Sequence, residues 1–597
     1  MRNPILYTLL FTVMSMHFLQ AQNNPWLTYY EQSGYKETPR YKETIEYCQK
    51  LSRHSDWITY TTFGKSARNR DLPLIIANKD GKFDLQQVRE SGDLILMVEA
   101  CIHPGESEGK DAGLMLLRDI AIHKKHTELL DGITLLFIPI LNADGHERFG
   151  PYNRINQNGP KEMGWRTNAQ NLNLNRDFLK ADAPEMQAWI RLFNQWLPDF
   201  FVDIHTTDGA DYQYVITYAM ETFGNMSPKL TQWQKESFLN RITPRMEKAG
   251  MPIFPYVSFR EWHNPESGMV ALSADPKLSQ GYTAIQNRPG LLLETHMLKD
   301  YQTRVSGTYE MLKHTMDILK QEKEKLQSLI HKADQYTRSS AFRTRPYALD
   351  YQATGDSTMV DFRGIEYTKK QSDLTGATWF QYGDKPVTFQ IPYFNKLKPT
   401  EEVNLPEYYI IPPEWNQVIE RIKLHGIQTY RIKDPLNLQA TVTMFTNVNW
   451  RHAPYEGRHQ VTNFDTRTHT EKVNVPVGSC IVPLNQRRAK VIAHMLEPDG
   501  PDSFVKWGFF NAIFEQKEYA EMYLMEEMAR EMLQNDSTLR QEFLQKKQED
   551  PQFDQNPWAI TNWFYKRTPY WDEHKNRYPV LKVFDSQSVN ILHNLVP

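Results

Sequence analysis

Apolar positions along the first half of the chain fall into two alternating rhythms. Leu94 to Ala100 and Ile133 to Leu141 are nearly continuous apolar or β-branched runs, and Phe200 to Ile204 and Leu291 to Leu293 are shorter ones. Runs of this length, bounded by turn residues, predict buried strands. Leu72 to Ala77 reads the same way after the polar turn Lys65 to Asp71. Between them the period lengthens to that of a helix. Tyr41 to Leu51 is helical in pattern, Gly109 to Ile122 carries Ala112, Met115 and Leu116 on one face, and Pro184 to Leu197 carries Met186, Trp189, Ile190 and Phe193. Proline at the first position suits the start of that last helix, since the amide it lacks would be unpaired there anyway. Strands alternating with helices predict an α/β fold, a mostly parallel sheet covered by helices.

Asp300 to Tyr336 reads as one or two long polar helices, and there the alternation stops. Beyond Arg338 the pattern becomes short and β-rich, with Thr358 to Tyr367, Val387 to Tyr393 and Ala440 to Asn449 separated by proline and turn residues. A domain boundary is therefore expected near 335–345: a catalytic region over 22–338 and a β-rich C-terminal domain over 339–597, for which a β-sandwich is one reading. Tyr519 to Leu533 is amphipathic and is expected to face a core through Met522, Tyr523, Met525, Met528 and Leu533.

Composition narrows the class. With 597 residues there is chain for several domains, and 69 Lys+Arg against 72 Asp+Glu leave a net charge of -3, so no nucleic-acid footprint is expected. Residues 1–21 read as a secretory signal, with Arg2 before an apolar segment from Ile5 to Phe18 and a small residue, Ala21, for cleavage. A secreted or periplasmic destination follows, with no membrane span in the mature chain because no later apolar stretch is long enough. The three cysteines, Cys48, Cys101 and Cys480, are too few and too scattered for a disulfide framework.

Candidate chemistry begins where the first long apolar run ends, at His103-Pro104-Gly105-Glu106. An imidazole and a carboxylate just past a strand end lie where open α/β sheets hold their sites. His205 follows another apolar run, and two ligands from one short loop with a third from a distant strand is how catalytic zinc sites are assembled, one position being left for water. Glu294, after Leu291 to Leu293, would reach the same crevice as a proton acceptor and donor. Its neighbour His296 and the strand-end Cys101 are read as packing residues. Between the ligands lie Trp165-Arg166 and Asn173-Leu174-Asn175-Arg176-Asp177-Phe178. Guanidinium forks suit a substrate carboxylate, and a second arginine suits the oxyanion of a scissile carbonyl.

His-Pro-Gly-Glu, Asn-Ala-Asp-Gly, Trp-Arg, Asn-Leu-Asn-Arg-Asp-Phe, Asp-Ile-His and Leu-Leu-Glu-Thr-His, in this order, resemble the carboxypeptidase A family of zinc metallocarboxypeptidases over about 40–330. The resemblance implies an α/β/α sandwich with a mixed eight-stranded sheet. It implies one Zn2+ per chain held by His103, Glu106 and His205, with Glu294 as general base, Arg166 polarising the scissile carbonyl, and Asn175 and Arg176 holding the terminal carboxylate. The substrate-capping tyrosine of the family is sought upstream of Glu294, where Tyr282 is the only tyrosine between 257 and 294. Two positions depart from the digestive members: Gly105 replaces an arginine, and Asn173 replaces the aspartate that orients the first zinc histidine.

The expected activity is hydrolysis of a peptide bond near a free C terminus, with a peptide or peptidoglycan-peptide substrate. Hydrolysis of γ-glutamyl-diaminoacid bonds in cell-wall peptides and a non-catalytic binding role on a peptidase fold are the alternatives. Zinc deacylases of the aspartoacylase type share the His/Glu/His and Asn-Arg elements, but Trp-Arg and the chain length favour a peptidase.

Overall fold

The computed structural model describes residues 24–596, so the expected signal segment, residues 1–21, lies outside the described residues. The chain forms two compact units. The first comprises residues up to Leu405 together with Gln417–Thr429 and Pro483–Ser503; the second comprises Pro406–Asn416, Tyr430–Val482 and the residues from Phe504 onward. Residues 339–405 thus pack with the first unit, as do two later returns of the chain.

The first unit is built on strands β1 (Ile58–Lys65), β2 (Asp71–Ala77), β3 (Leu94–Glu99), β4 (Ile133–Ile138), β5 (Phe200–Thr207), β6 (Ile216–Ala219) and β7 (Ile253–Pro255), with β8 (Met269–Val270) apart from the main sheet and β9 (Gly290–His296) at its heart. Eight of them form one sheet in the order β1-β2-β4-β3-β5-β9-β6-β7. The central pairs β3/β4, β3/β5 and β5/β9 are parallel, while β1/β2, β2/β4 and β6/β9 are antiparallel, so the sheet is mixed, as expected. Every residue of β3, β4 and β5 is buried, which is why these strands read as largely apolar runs instead of alternating ones.

Helices α1 (Tyr41–His54), α2 (Glu108–Ala121), α3 (Pro184–Trp196) and α4 (Tyr301–Arg338) correspond to the amphipathic stretches. The long polar stretch is a single 38-residue helix, opened by Asp300, whose side chain accepts from the Thr303 amide. Its length needs tertiary support, and Val305, Met311, Leu312, Met316, Leu319 and Leu326 supply it by burial.

Beyond α4 the chain continues as β10 (Tyr347–Ala353), β11 (Thr358–Gln371), β12 (Thr378–Phe394) and β13 (Leu397–Val403). β11 and β12 make a long antiparallel hairpin whose second strand pairs in parallel with β8, Tyr393 against Met269 and Phe394 against Val270. The second unit carries one six-stranded sheet among its described residues, including the hairpin Leu436–Trp450 with Val461–Val475, and a helical cluster, in place of two facing sheets. In that cluster the helix Met522–Asn535 buries Met525 and packs Met528, Met532 and Leu533, whereas Met522 and Tyr523 are exposed, contrary to expectation: Tyr523 falls on the opposite side of the helix, and Met522 is its first residue.

Candidate active site

Sheet register brings the chemistry together. His205 on β5 is the direct ladder partner of Glu294 on β9, and β3, which leads into the His103 loop, flanks β5 on its other side. Both strands extend further than their apolar runs, so His205 and Glu294 lie within ladders instead of just beyond them. A fixed ladder position holds each side chain better than a loop would.

His103, Glu106 and His205 are all buried, and one donor atom from each lies within 4.8 Å of the others. His205 Nδ1 is 2.9 Å from Glu106 Oε2, and His103 Nδ1 is 3.2 Å from Glu106 Oε1. The far nitrogens are engaged elsewhere: His103 Nε2 is 2.8 Å from Asn173 Oδ1, and His205 Nε2 is 2.8 Å from Asp203 Oδ2. Both outer partners accept, so each Nε2 carries a proton and each Nδ1 is the nitrogen turned toward Glu106. Burial opposes a charge on His205, but the Asp203 and Glu106 carboxylates outweigh it and raise the imidazole well above its usual range, so a cation bound between Nδ1 and Glu106 would take the place of a proton. Two imidazoles and a carboxylate converging this way fit a catalytic zinc ion and its open position.

The electrostatics agree with a site poised for a cation. Burial lowers His103 to about 4, with Arg166 pushing the same way. Burial also opposes ionisation of Glu106, but the Arg154 guanidinium and His103 outweigh it and hold the carboxyl well below its usual range. Glu294, facing the cavity, is pushed up to about 8 by burial and by the Glu106 and Asp203 carboxylates, with His205 opposing. A divalent cation beside it would pull that value back down.

These groups line one cavity of about 990 Å3. Arg166 reaches it half-exposed, 3.2 Å from His103 Nδ1 and 3.5 Å from Glu106 Oε1. It is held by the Asn-Ala-Asp-Gly turn, where the Trp165 amide donates to the Gly145 carbonyl and Asn142 Nδ2 to the Arg166 carbonyl. The Asn-Leu-Asn-Arg-Asp-Phe motif divides its labour. Asn173 serves His103; Asn175 and Arg176 face the cavity; Asp177 is buried against Lys180 and accepts from the Ala183 amide; Phe178 packs in the core. The Asn175 amide oxygen is buried with no hydrogen-bond partner among the described residues.

Tyr282 is not at the site. It is fully buried, packed among Phe178, Trp189 and Phe193, with its hydroxyl 2.7 Å from His425 Nδ1. A helical tyrosine surrounded by aromatics is a core residue with one satisfied polar end. The cavity instead contains Tyr256, one residue before the stretch searched, with its amide donating to the Tyr218 carbonyl. Its hydroxyl is raised to about 12 by burial and by the Glu294 carboxylate. His296 stacks on Tyr212 and meets Asp211 at 2.9 Å, and Cys101 is buried with its sulfur toward the Glu106 carbonyl, both packing residues as expected. Asp275 lines the cavity, but it is neutralised by Lys277, which also reaches Asp502 at 3.2 Å.

Arg154 was not foreseen from sequence. Its guanidinium lies 2.9 Å from Glu106 Oε1 at the cavity wall. A Cβ built on Gly105 would lie 2.6 Å from Arg154 Cγ, so the absent side chain at 105 leaves the room that Arg154 fills. A glycine of ordinary backbone conformation beside a site was the available signal.

The chain has recognisable relatives. A family model described as zinc carboxypeptidase matches residues 44–420. Carboxypeptidase 2 of Trichophyton rubrum is 23% identical over 483 residues, covering 79% of this chain and 84% of that protein. Carboxypeptidase 2 of Trichophyton equinum is 24% identical over 486 residues, with the same coverage of 79% and 84%. Among solved structures, a metallo-carboxypeptidase from Burkholderia cenocepacia matches at 16% identity and a TM-score of 0.35, covering 47% of this chain and 69% of that one. No helix among the described residues is long and apolar enough to cross a membrane. With the family match spanning more than half of its length, this chain belongs to the zinc carboxypeptidase family and is a zinc-dependent metallopeptidase.

Proposed function

We propose that the protein removes residues from the free C terminus of peptides, with His103, Glu106 and His205 holding one Zn2+ and Glu294 moving the proton. The observation that carries this reading is the ladder pairing of His205 with Glu294, which sets a proton acceptor beside the convergent His/Glu/His donors in a cavity that also holds Arg166, Asn175 and Arg176. Zinc bound there supplies Lewis acidity to the scissile carbonyl and acidifies water. Glu294 accepts a proton from the attacking water and delivers it to the departing amine. Arg166 faces the oxyanion that develops on the carbonyl oxygen, and Arg176 with Asn175 binds the substrate's terminal carboxylate. Tyr256 closes over the substrate from the cavity wall, in the role first sought at Tyr282. The segment 1–21 supports export, to the periplasm or beyond the cell.

The reading is tested by incubating the purified protein with a mixed peptide library bearing free or amidated C termini, with and without a zinc chelator, and following products by mass spectrometry. Chelator-sensitive trimming of free termini alone is expected. Equal trimming of amidated peptides removes the role given to Arg176, and no trimming by zinc-loaded protein turns the search to cell-wall peptides.

A further inference from the structure

A buried ion pair that the reaction does not use links α4 to the metal-facing groups. Arg304, in the first turn of α4, and Glu108, the first residue of α2, have no solvent exposure at all. Arg304 Nε donates to Glu108 Oε1 at 2.7 Å, and its Nη1 and Nη2 donate to the carbonyls of Asn158, Gly159, Met297 and Lys299. One guanidinium thus ties together the segment that follows Arg154, the turn that follows β9 and the helix that follows the His103 loop. Gln157 adds a stitch between the first and the last, its Nε2 donating to the Gly159 carbonyl at 2.9 Å and to the Gly105 carbonyl at 2.8 Å.

The second oxygen of Glu108 leads toward the site. Oε2 accepts from Thr206 Oγ1 at 2.8 Å, and Thr206 Oγ1 also meets Thr295 Oγ1, its ladder partner on β9, at 2.8 Å. Successive side chains of a strand point to opposite faces, so the Thr206 hydroxyl lies on the face away from the His205 imidazole. Its backbone amide is placed differently. The pairing of β3 with β5 runs as far as Asp203, and beyond that point the Thr206 amide donates to Glu106 Oε2 at 3.0 Å. We propose that Arg304 and Glu108 are positioning residues for Glu106: Glu108, clamped by Arg304, fixes the Thr206 hydroxyl and with it the amide that orients Glu106 Oε2 toward the metal position. The inference rests on Glu106 being a metal ligand. A buried ion pair gains little stability over packed apolar residues of the same volume, and placement is the attested use of such pairs. Glu106 is then steadied from two sides, by Arg154 at Oε1 from the cavity wall and by the Thr206 amide at Oε2 from the interior.

The test is zinc affinity of the full chain, measured by competition with a chelator, together with visible absorption of the cobalt-substituted protein, which reports ligand geometry. T206V removes the hydroxyl at nearly constant shape and is expected to loosen zinc about tenfold and shift the cobalt bands, the scale on which outer partners of metal ligands act. T206S keeps the hydroxyl and is expected to stay within about threefold of wild type, with native bands. E108Q is expected to loosen zinc by about 10–100-fold. Because Glu108 and Thr206 act through one hydrogen bond, E108Q/T206V should bind zinc no more than about threefold more weakly than E108Q alone. Losses that multiply in the double variant would overturn the proposal. So would native zinc affinity and native cobalt bands in T206V, which is what a merely structural hydroxyl gives. R304M leaves Glu108 buried without its partner, and if it does not fold the contrast of T206V with T206S decides. Native zinc affinity in E106A would overturn the inference together with the reading on which it rests.

Discussion

The two walls of the cavity are made by different means. The inner wall, bearing His205 and Glu294, is a pair of neighbouring positions in the parallel β5/β9 ladder at the centre of the mixed sheet. The outer wall comes from loops and short pieces: Arg154 and Ile155, Tyr256, Val270 to Asp275, and Tyr393 and Asn395. On the inner wall a side chain is located by many backbone hydrogen bonds at once. On the outer wall single polar pins do the locating. The clearest is Glu221, which accepts from the Ala274 amide at 2.8 Å and from Ser273 Oγ at 3.2 Å, and so holds the 270–275 stretch in place. The inner wall should therefore respond to substitution in chemistry, the cavity-facing side chains of the outer wall in binding, and the polar pins behind that wall in stability.

The sharpest break of that contrast is E294Q. It should lower kcat by about 10²–10⁴-fold, the range for loss of a general base, while zinc content and melting temperature stay close to wild type. Stoichiometric zinc with native kcat would move the proton shuttle elsewhere. Next comes E221Q. Burial pushes the Glu221 carboxyl up to about 7, above its unfolded value, so between about pH 4.5 and pH 7 the folded chain retains a proton that the unfolded chain has released. Stability should thus fall as pH rises through that window, by an amount on the order of 3 kcal/mol at most, from the free-energy equivalent of each pKa unit. E221Q should flatten this part of a urea-unfolding series across pH; an unchanged slope would show that Glu221 is not its source. The smallest effect distinguishes two tyrosines. Y256F should raise KM or lower kcat by up to about tenfold without altering stability, since it removes one hydrogen bond from the substrate side. Y282F should leave kinetics unchanged and cost about 1 kcal/mol in unfolding, the worth of the His425 hydrogen bond. The opposite pattern would restore Tyr282 to the site.

The same contrast explains what the sequence discloses. A strand buried on both faces must be apolar, so a polar residue at the end of such a run, as His103, Glu106, His205 and Glu294 are, stands out against its neighbours. Helices α2 and α3 are readable from their helical apolar period, whereas the mixed character of the sheet is implied by the family resemblance and not by the patterning, which points to a mostly parallel sheet. Arg154 and Tyr256 sit on loops, where polarity is ordinary and no period marks a residue as functional. Tyr282 misled because a tyrosine before Glu294 carries no sign in one dimension of whether its ring faces a cavity or Trp189. The extent of the first unit was hidden too: β12 pairs with β8 across more than a hundred residues of sequence, a contact that local patterning does not encode.

That pairing of β12 with β8 has a consequence for the cavity wall. The strand that carries Tyr393 to the cavity belongs to a hairpin with a solvent-exposed tip at Leu374, and among the described residues its one strand partner beyond its own hairpin within that sheet is the two-residue β8. The exposed tip can lengthen or shorten while the ladder holding His205 and Glu294 keeps its register, whereas the base is fixed by Phe362 and Ile391, buried with Tyr212 and Tyr214. The hydrolytic groups and this part of the cavity wall are thus carried by separate strand systems, one fixed by the central ladder and the other borne on a hairpin.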